Sequence, residues 1–218
     1  MPLFDGRGGW VGALRGALRG GVSRQRLRSW GDFYDGEVDE AYRRFHLALH
    51  APYLEAIRSF RPERTLEAGC GTAIFSEALA GAGVRACALD LDAGVVASVC
   101  ARVPLMRSLR GDLFRLPFAS SSFDVSFSQG VLEHFAPARI RQALHEQLRV
   151  ARAVVFSVPN LHYRWGEYGD EKLWSLPAWG GILRDLPVVR LEAYHRATLR
   201  RNFFIPRPIM TLGVLVRP

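Results

Sequence analysis

The chain has 218 residues, 49% of them hydrophobic and 23% charged, with a formal net charge of +8. That suits one globular domain with a sizeable core. No apolar run reaches the roughly 18 residues of a membrane span, and no signal-peptide pattern stands at the start.

The three cysteines, Cys70, Cys87 and Cys100, are scattered, with no CxxC pair and no Cys/His ligand spacing. Neither a zinc site nor a disulfide framework is supported, and no metal is expected. A reducing, cytoplasmic compartment is the expectation.

Residues 1–30 read as a basic Gly/Arg-rich arm. They hold Arg7, Arg15, Arg19, Arg24, Arg26 and Arg28 against one acid, Asp5, and so carry +5 of the +8. A short duplication, GALRGALRGG, spaces Leu14 and Leu18, and Arg15 and Arg19, four apart, enough for one amphipathic turn that its glycines weaken. Lys172 is the only lysine in the chain. Codon bias would produce such an Arg excess, so the count alone is no nucleic-acid signature, although Arg is the better phosphate ligand. A loosely docked tail, an arm for RNA or an anionic membrane surface, and a lid element remain open readings.

The remaining residues, 31–218, form the main domain, with a helical cap over 31–60. Val38, Ala41, Tyr42, Phe45, Leu49, Tyr53, Leu54 and Ile57 recur at helical spacing, which predicts a helix over 37–59. Pro52 should kink it or split it in two. Tyr34, His46 and His50 fall in this region, where a lone histidine is ordinarily a packing residue.

From residue 64 the pattern changes to short apolar runs punctuated by Gly, Pro and Asp. Strands are predicted over 64–68, 84–90, 105–110, 123–128 and 153–158. Helices fall at 74–82, 93–102 and 137–150, the last with Pro at its first turn. A helix over 175–184 and strands near 188–194 and 209–217 complete seven strands. Strands alternating with helices at this pitch mean βαβ units and an α/β doubly wound sheet with helices on both faces.

The strongest local signal is Leu66-Glu67-Ala68-Gly69-Cys70-Gly71-Thr72-Ala73. A strand ends in an acid, then a Gly-x-Gly turn, then a helix. Glycines permit positive φ and close backbone approach to a ligand. A dinucleotide requires G-x-G-x-x-G/A, but Ile74 stands at the third position, and Glu67 would repel a pyrophosphate. An ammonium group suits that acid better.

These residues resemble the start of the class I S-adenosylmethionine-dependent methyltransferases, in particular the small single-domain group with an L-E-x-G-C-G-T start. The resemblance covers roughly residues 32–160. It implies a Rossmann-like, mostly parallel seven-stranded sheet with an antiparallel C-terminal strand, and S-adenosyl-L-methionine as cofactor. By that resemblance Glu67, Gly69, Cys70 and Gly71 frame the methionine part. Ala73 stands where the family has a third glycine.

Three further segments extend the resemblance. Asp90, 19 residues after Gly71, closes the second strand beside Leu91 and matches the ribose-binding acid. Its neighbour Asp92 reads as a helix cap. The Gly111-Asp112-Leu113 triplet, followed by Leu116-Pro117-Phe118, places Asp112 by the adenine amino group and Leu113 in its pocket. Phe123 to Phe135 resembles the fourth-strand segment, with Asp124 structural and Ser128, Gln129 and Gly130 near the transferred methyl.

Glu133 and His134 are the candidate acid–base pair. Some metal-dependent relatives carry an acid three residues earlier, where this chain has Gly130, so a metal of that type is rejected. The segment 160–181 reads as a substrate lid, holding His162, Tyr163, Trp165, Tyr168, Trp174 and Trp179. Tyr163, Trp165 and Trp174 are the candidate substrate contacts for a flat or mixed apolar acceptor; the competing reading packs these aromatics onto the sheet.

The function expected is methyl transfer to a small-molecule acceptor by in-line displacement. The alternatives are an RNA or protein methyltransferase tethered by the arm, and a binding protein without turnover.

Overall fold

The computed structural model describes residues 38–163, 170–194 and 208–218. The arm (1–30), Tyr34, Trp165 and Tyr168 lie outside these residues.

Among the described residues two helices come first, α1 (Glu40–Leu49) and α2 (Ala51–Ser59). The break falls at His50, two residues before Pro52, as a proline in the first turn of a new helix requires. Asp39 caps α1 by accepting from the Tyr42 amide at 2.6 Å.

The alternating pattern follows: β1 (Arg64–Ala68), α3 (Ile74–Ala80), β2 (Arg85–Asp90), α4 (Ala93–Arg102), β3 (Arg107–Arg110) and β4 (Phe123–Gln129). A single 3-10 turn, Leu132–His134, leads to α5 (Pro137–Val150), β5 (Ala151–Pro159), α6 (Leu176–Ile182), β6 (Val188–Tyr194) and β7 (Met210–Val216).

The elements differ from the sequence reading mainly at their ends. Helix α3 stops at Ala80 because the chain turns through Gly81 to Gly83, and Gly83 takes φ +87°. Strand β5 starts at Ala151, directly off α5, with no loop between them. Strand β3 begins at Arg107, and Leu105, expected within it, is fully exposed.

The seven strands order as β3-β2-β1-β4-β5-β7-β6. The first five are mutually parallel, and β7 runs antiparallel between β5 and β6. Strand order reverses between β1 and β4, so their carboxyl ends open a crevice, the place where such sheets bind ligands.

Alternate residues face opposite sides of the sheet. Val125, Phe127, Ala153 and Val155 pack under Tyr53, Leu54 and Ile57 of α2 and Ile74, Phe75 and Leu79 of α3. Helix α4 covers the same side through Val95 and Val99, on Ala86 and Ala88. The other side meets α5 and α6, where Val154, Phe156 and Val158 pack on Ile140, Leu144 and Trp179.

Gly213 of β7 is fixed by this second side. It pairs with Phe156 in register, and the Phe156 ring lies 5.1 Å from that of Trp179. A Cβ on Gly213 would fall 2.1 Å from a Phe156 ring carbon. Gly213→Ala should therefore cost about 2 kcal/mol or more by overpacking. Gly180→Ala, in α6 with its nearest neighbour 4.0 Å away, should instead gain about 0.5–1 kcal/mol from helix propensity. Urea midpoints of the two variants test the pair; a loss below about 0.5 kcal/mol for Gly213→Ala, against the overpacking range, would show that Phe156 yields.

Candidate functional site

Glu67 is the penultimate residue of β1, and its carboxyl is 98% buried on the α2/α3 side. One oxygen accepts from the Ser76 amide at 3.0 Å, in the first turn of α3. Burial outweighs that bond and raises the carboxyl to about 7.

The turn after β1 is built on left-handed backbone. Gly69 has φ +76°, Gly71 +46° and Ala73 +53°. A Cβ on Gly69 would meet Val131 at 2.7 Å, so the turn also packs against the loop after β4. Ala73, which is fully buried, adopts the conformation a glycine would favour. The amides of Gly69 and Cys70 both donate to the Leu89 carbonyl, tying the turn to β2.

Asp90 ends β2. Its carboxylate accepts from the Gly71 amide at 3.1 Å and the Asp92 amide at 3.0 Å. Burial, the largest influence, raises its pKa. Asp92 caps α4, accepting from the Gly94 and Val95 amides. Leu91 stands exposed beside Asp90. These placements bring Glu67, Asp90 and the glycine turn together at the ends of two adjacent strands.

Beyond β3, a Cβ on Gly111 would fall 2.6 Å from Leu89. Only glycine lets this loop lie so close to β2. Asp112 is exposed and accepts from the Phe114 amide at 2.8 Å, a local turn bond. Leu113 is buried on the α5/α6 side.

The end of β4 divides its candidates between the two sides of the sheet. Gln129 shares the face of Phe127 and Glu67, whereas Ser128 turns to the opposite face, buried. Asp124 accepts from the Glu63 and Arg64 amides and fixes the start of β1. Gly130, at φ +68°, donates to the Ser157 carbonyl and starts the loop into the 3-10 turn.

His134 and Glu133 lie on that turn, Glu133 buried. The His134 Nδ1 is 2.5 Å from the Asp170 carboxylate. The Lys172 amide donates to the Glu133 carbonyl, and its Nζ to the His134 carbonyl. The chain just before α6 is thus fastened to the turn after β4 at three points.

The aromatic candidates are not gathered into one wall. Tyr163 packs on the α2/α3 side and Trp174 on the α5/α6 side. The Trp174 indole N–H is buried with no hydrogen-bond partner among the described residues. Trp165 lies outside them. His46 is a packing residue, tilted at 35° to the Tyr42 ring with the centroids 4.1 Å apart, and its pKa is lowered by burial to about 4.

Sequence reasoning missed two arrangements. One is Asp170 beside His134, 36 residues away. The other is a buried chain in which the Tyr194 hydroxyl meets His50 Nδ1 at 2.7 Å and the Ser157 hydroxyl at 2.6 Å. The first joins His134 to an acid 36 residues on, and no local pattern refers one to the other. The second joins three elements far apart in sequence and left no local signal.

Among the described residues no three His, Cys, Asp or Glu side chains are grouped to hold a metal ion, and no helix is long and apolar enough to cross a membrane.

A family model described as a methyltransferase domain matches residues 66–154. A demethylmenaquinone methyltransferase of Beutenbergia cavernae is 40% identical over 100 residues, covering 45% of this chain and 40% of that protein. Another, from Mycolicibacterium vanbaalenii, is 31% identical over 144 residues, covering 61% of this chain and 59% of that protein. The chain spans 40% to 59% of the length of these relatives.

Two solved structures show the same fold. A chain of the complex between the Haloferax volcanii Trm112 methyltransferase activator and a methyltransferase superposes with a TM-score of 0.69 at 20% identity, covering 87% of this chain and 98% of that one. Magnesium protoporphyrin IX methyltransferase from Synechocystis PCC 6803, with bound SAH, gives 0.60 at 16% identity, covering 87% and 93%.

The buried Glu67 has a measurable consequence for stability. Its folded pKa lies above the unfolded value, so its cost is absent below about pH 4 and grows as pH rises to about 7. Relative to Glu67→Gln, wild-type stability should fall by about 3 kcal/mol between pH 4 and 8 and stay level above. Paired urea titrations across that range test it. A constant difference between the two proteins would show that Glu67 ionises normally.

Proposed function

We propose that this chain, a member of the class I S-adenosylmethionine-dependent methyltransferases, transfers the methyl group of S-adenosyl-L-methionine to a small organic acceptor. The observation that carries the cofactor assignment is the buried Glu67 carboxyl beside the glycine turn, one strand away from Asp90. A buried acid raised toward neutrality gains most from a cation placed against it, and the cofactor's methionine end brings an ammonium group.

The residues fit that group. Gly69 and Gly71 present backbone in the left-handed region, and a Cβ at Gly69 would also displace Val131. Asp90 offers carboxylate oxygens to ribose hydroxyls, and its bonds to the Gly71 and Asp92 amides fix its orientation. Leu91, Asp112 and Leu113 extend the site toward the adenine, with Leu113 supplying apolar surface. Cys70 and Gln129 border the methionine end, whereas the Ser128 side chain is buried on the opposite face.

When bound, the cofactor supplies a methyl group on a sulfonium, already an activated leaving group. The protein's work is then to orient the acceptor, exclude water and remove a proton where the attacking atom carries one. His134 suits the last task. With Asp170 accepting from Nδ1–H, the imidazole keeps its lone pair on Nε2, the tautomer of a general base. Glu133 holds the turn that carries it.

The demethylmenaquinone methyltransferases among the relatives favour a small organic acceptor with an acidic hydroxyl or carbon. Residues 160–181 would cover it, with Tyr163, Trp165 and Trp174 as contacts. The basic arm (1–30) would serve recruitment, to an anionic membrane surface or a nucleic acid, rather than the chemistry.

S-adenosylhomocysteine should raise the melting temperature, by an amount equivalent to about 2.7 kcal/mol at a hundredfold excess over Kd, and NAD should not. Stabilisation by NAD alone would sink the cofactor assignment. Incubation with labelled cofactor and a metabolite extract should label a small molecule; label in RNA or protein would move the acceptor class instead.

His134→Asn should lower kcat about 10²- to 10⁴-fold with little change in S-adenosylhomocysteine affinity. Asp170→Asn should lose less, about 10- to 100-fold, as second-sphere partners of histidine do. A His134→Asn enzyme within twofold of wild type would leave positioning as the whole of catalysis.

A further inference from the structure

Tyr53 is fully buried on α2. Its ring meets Phe75 edge-on at 5.3 Å and Phe127 at 6.2 Å. Both flank Glu67: Phe127 is its register partner on β4, and Phe75 precedes Ser76, whose amide the carboxyl holds. Two aromatic rings therefore place the Tyr53 phenol on the Glu67 side of the sheet.

The hydroxyl of Tyr53 has no hydrogen-bond partner among the described residues. A buried hydroxyl left so is costly and calls for an explanation. The nearby Tyr194 hydroxyl offers none, since His50 and Ser157 already engage it. Burial, reinforced by the charges of Glu67 and Tyr194, pushes the Tyr53 phenol well up. It remains a proton donor at any working pH, and Glu67 is the carboxyl acceptor whose charge it feels.

We propose that Tyr53 is a positioning residue for the cofactor: its hydroxyl donates to the Glu67 carboxylate when the cofactor's ammonium group lies against that carboxylate. Helix α2 is thereby tied to the loaded site. The inference rests on the methyltransferase reading above. Without a cation beside it Glu67, raised to about 7, is only partly ionised near neutral pH, and the hydroxyl has less to gain. With the cation in place Glu67 is a full carboxylate and a strong acceptor. Loading of the site and tightening of α2 become one event, through a residue that need not touch the cofactor.

The test uses the full chain and S-adenosylhomocysteine, by calorimetry and thermal shift. Tyr53→Phe removes only the oxygen. The free variant should melt at or above the wild-type temperature, since an unpartnered hydroxyl is lost, while its Kd rises about tenfold. In a Glu67→Gln background the same change should shift Kd less than twofold, because the carboxylate it serves is gone. Hydrogen exchange on the wild type needs no variant: S-adenosylhomocysteine should slow the amides of residues 51–59.

A Tyr53→Phe Kd within twofold of wild type overturns the proposal, as does unchanged exchange over 51–59. A lower melting temperature with unchanged Kd would make Tyr53 a packing residue only. Failure of the wild type to bind S-adenosylhomocysteine is a separate outcome, and it overturns the methyltransferase reading itself.

Discussion

A carboxyl group at the end of a buried strand is costly to ionise, and the architecture around Glu67 follows from holding one there. Burial raises it to about 7, with Ser76 and the charge of Arg102 in partial compensation. A hydrophobic residue of similar size would fill that position without the cost. A cation placed against the carboxyl would recover what folding gives up. The neighbouring features serve the same end. The glycine turn opens backbone space directly after the strand, and its anchorage on Leu89 fixes that space relative to Asp90.

The sheet converts this local constraint into a site. Because β1 lies between β2 and β4, Glu67 has Asp90 one strand away on one side and Gln129 at the end of the strand on the other. Each of these strand ends is held by a device of its own. Asp90 binds two backbone amides, Gly111 allows the β3 loop to lie on Leu89, and Gly130 bonds to the Ser157 carbonyl. The helices on the two faces differ in task. Those on the α2/α3 side press aromatic rings toward Glu67, whereas α5 and α6 anchor the turn with His134 and the segment containing Asp170 and Lys172.

What could be read from the sequence was whatever short-range chemistry determines. Strand β1, helices α4 and α5, and strand β6 lie within the predicted bounds because each has a local marker: an apolar run ending at glycine, an Asp cap, a Pro first turn, or flanking breaks. Pro52 announced the division of the first helical region, and Asp92 and Asp124 their structural bonds. Ala73 shows a limit of such rules. The backbone is left-handed there although the residue is not glycine, since the surrounding turn dictates its conformation. Side-chain partnerships across the fold were illegible. His50 and Tyr194 are 144 residues apart, and no periodicity in either neighbourhood refers to the other. Likewise the aromatics after β5 look like one group in sequence, yet the sheet edge parts Tyr163 from Trp174.

That parting bears on how the acceptor is chosen. A wall of aromatics gathered on one side would favour stacking of a flat ring as the source of specificity. Among the described residues, the segment before α6 is held by polar bonds through Asp170 and Lys172 to the turn after β4, as well as by the packing of Trp174. The group that would take a proton and the segment that would cover the acceptor are thus mechanically one unit. On the proposed function a displacement of either would change both the hydrogen bonding of His134 and the shape offered to the acceptor. Acceptor choice and proton removal would, on that function, be coupled through the His134–Asp170 hydrogen bond, and exchanging the 160–181 segment would alter the chemistry unless Asp170 and Lys172 were retained.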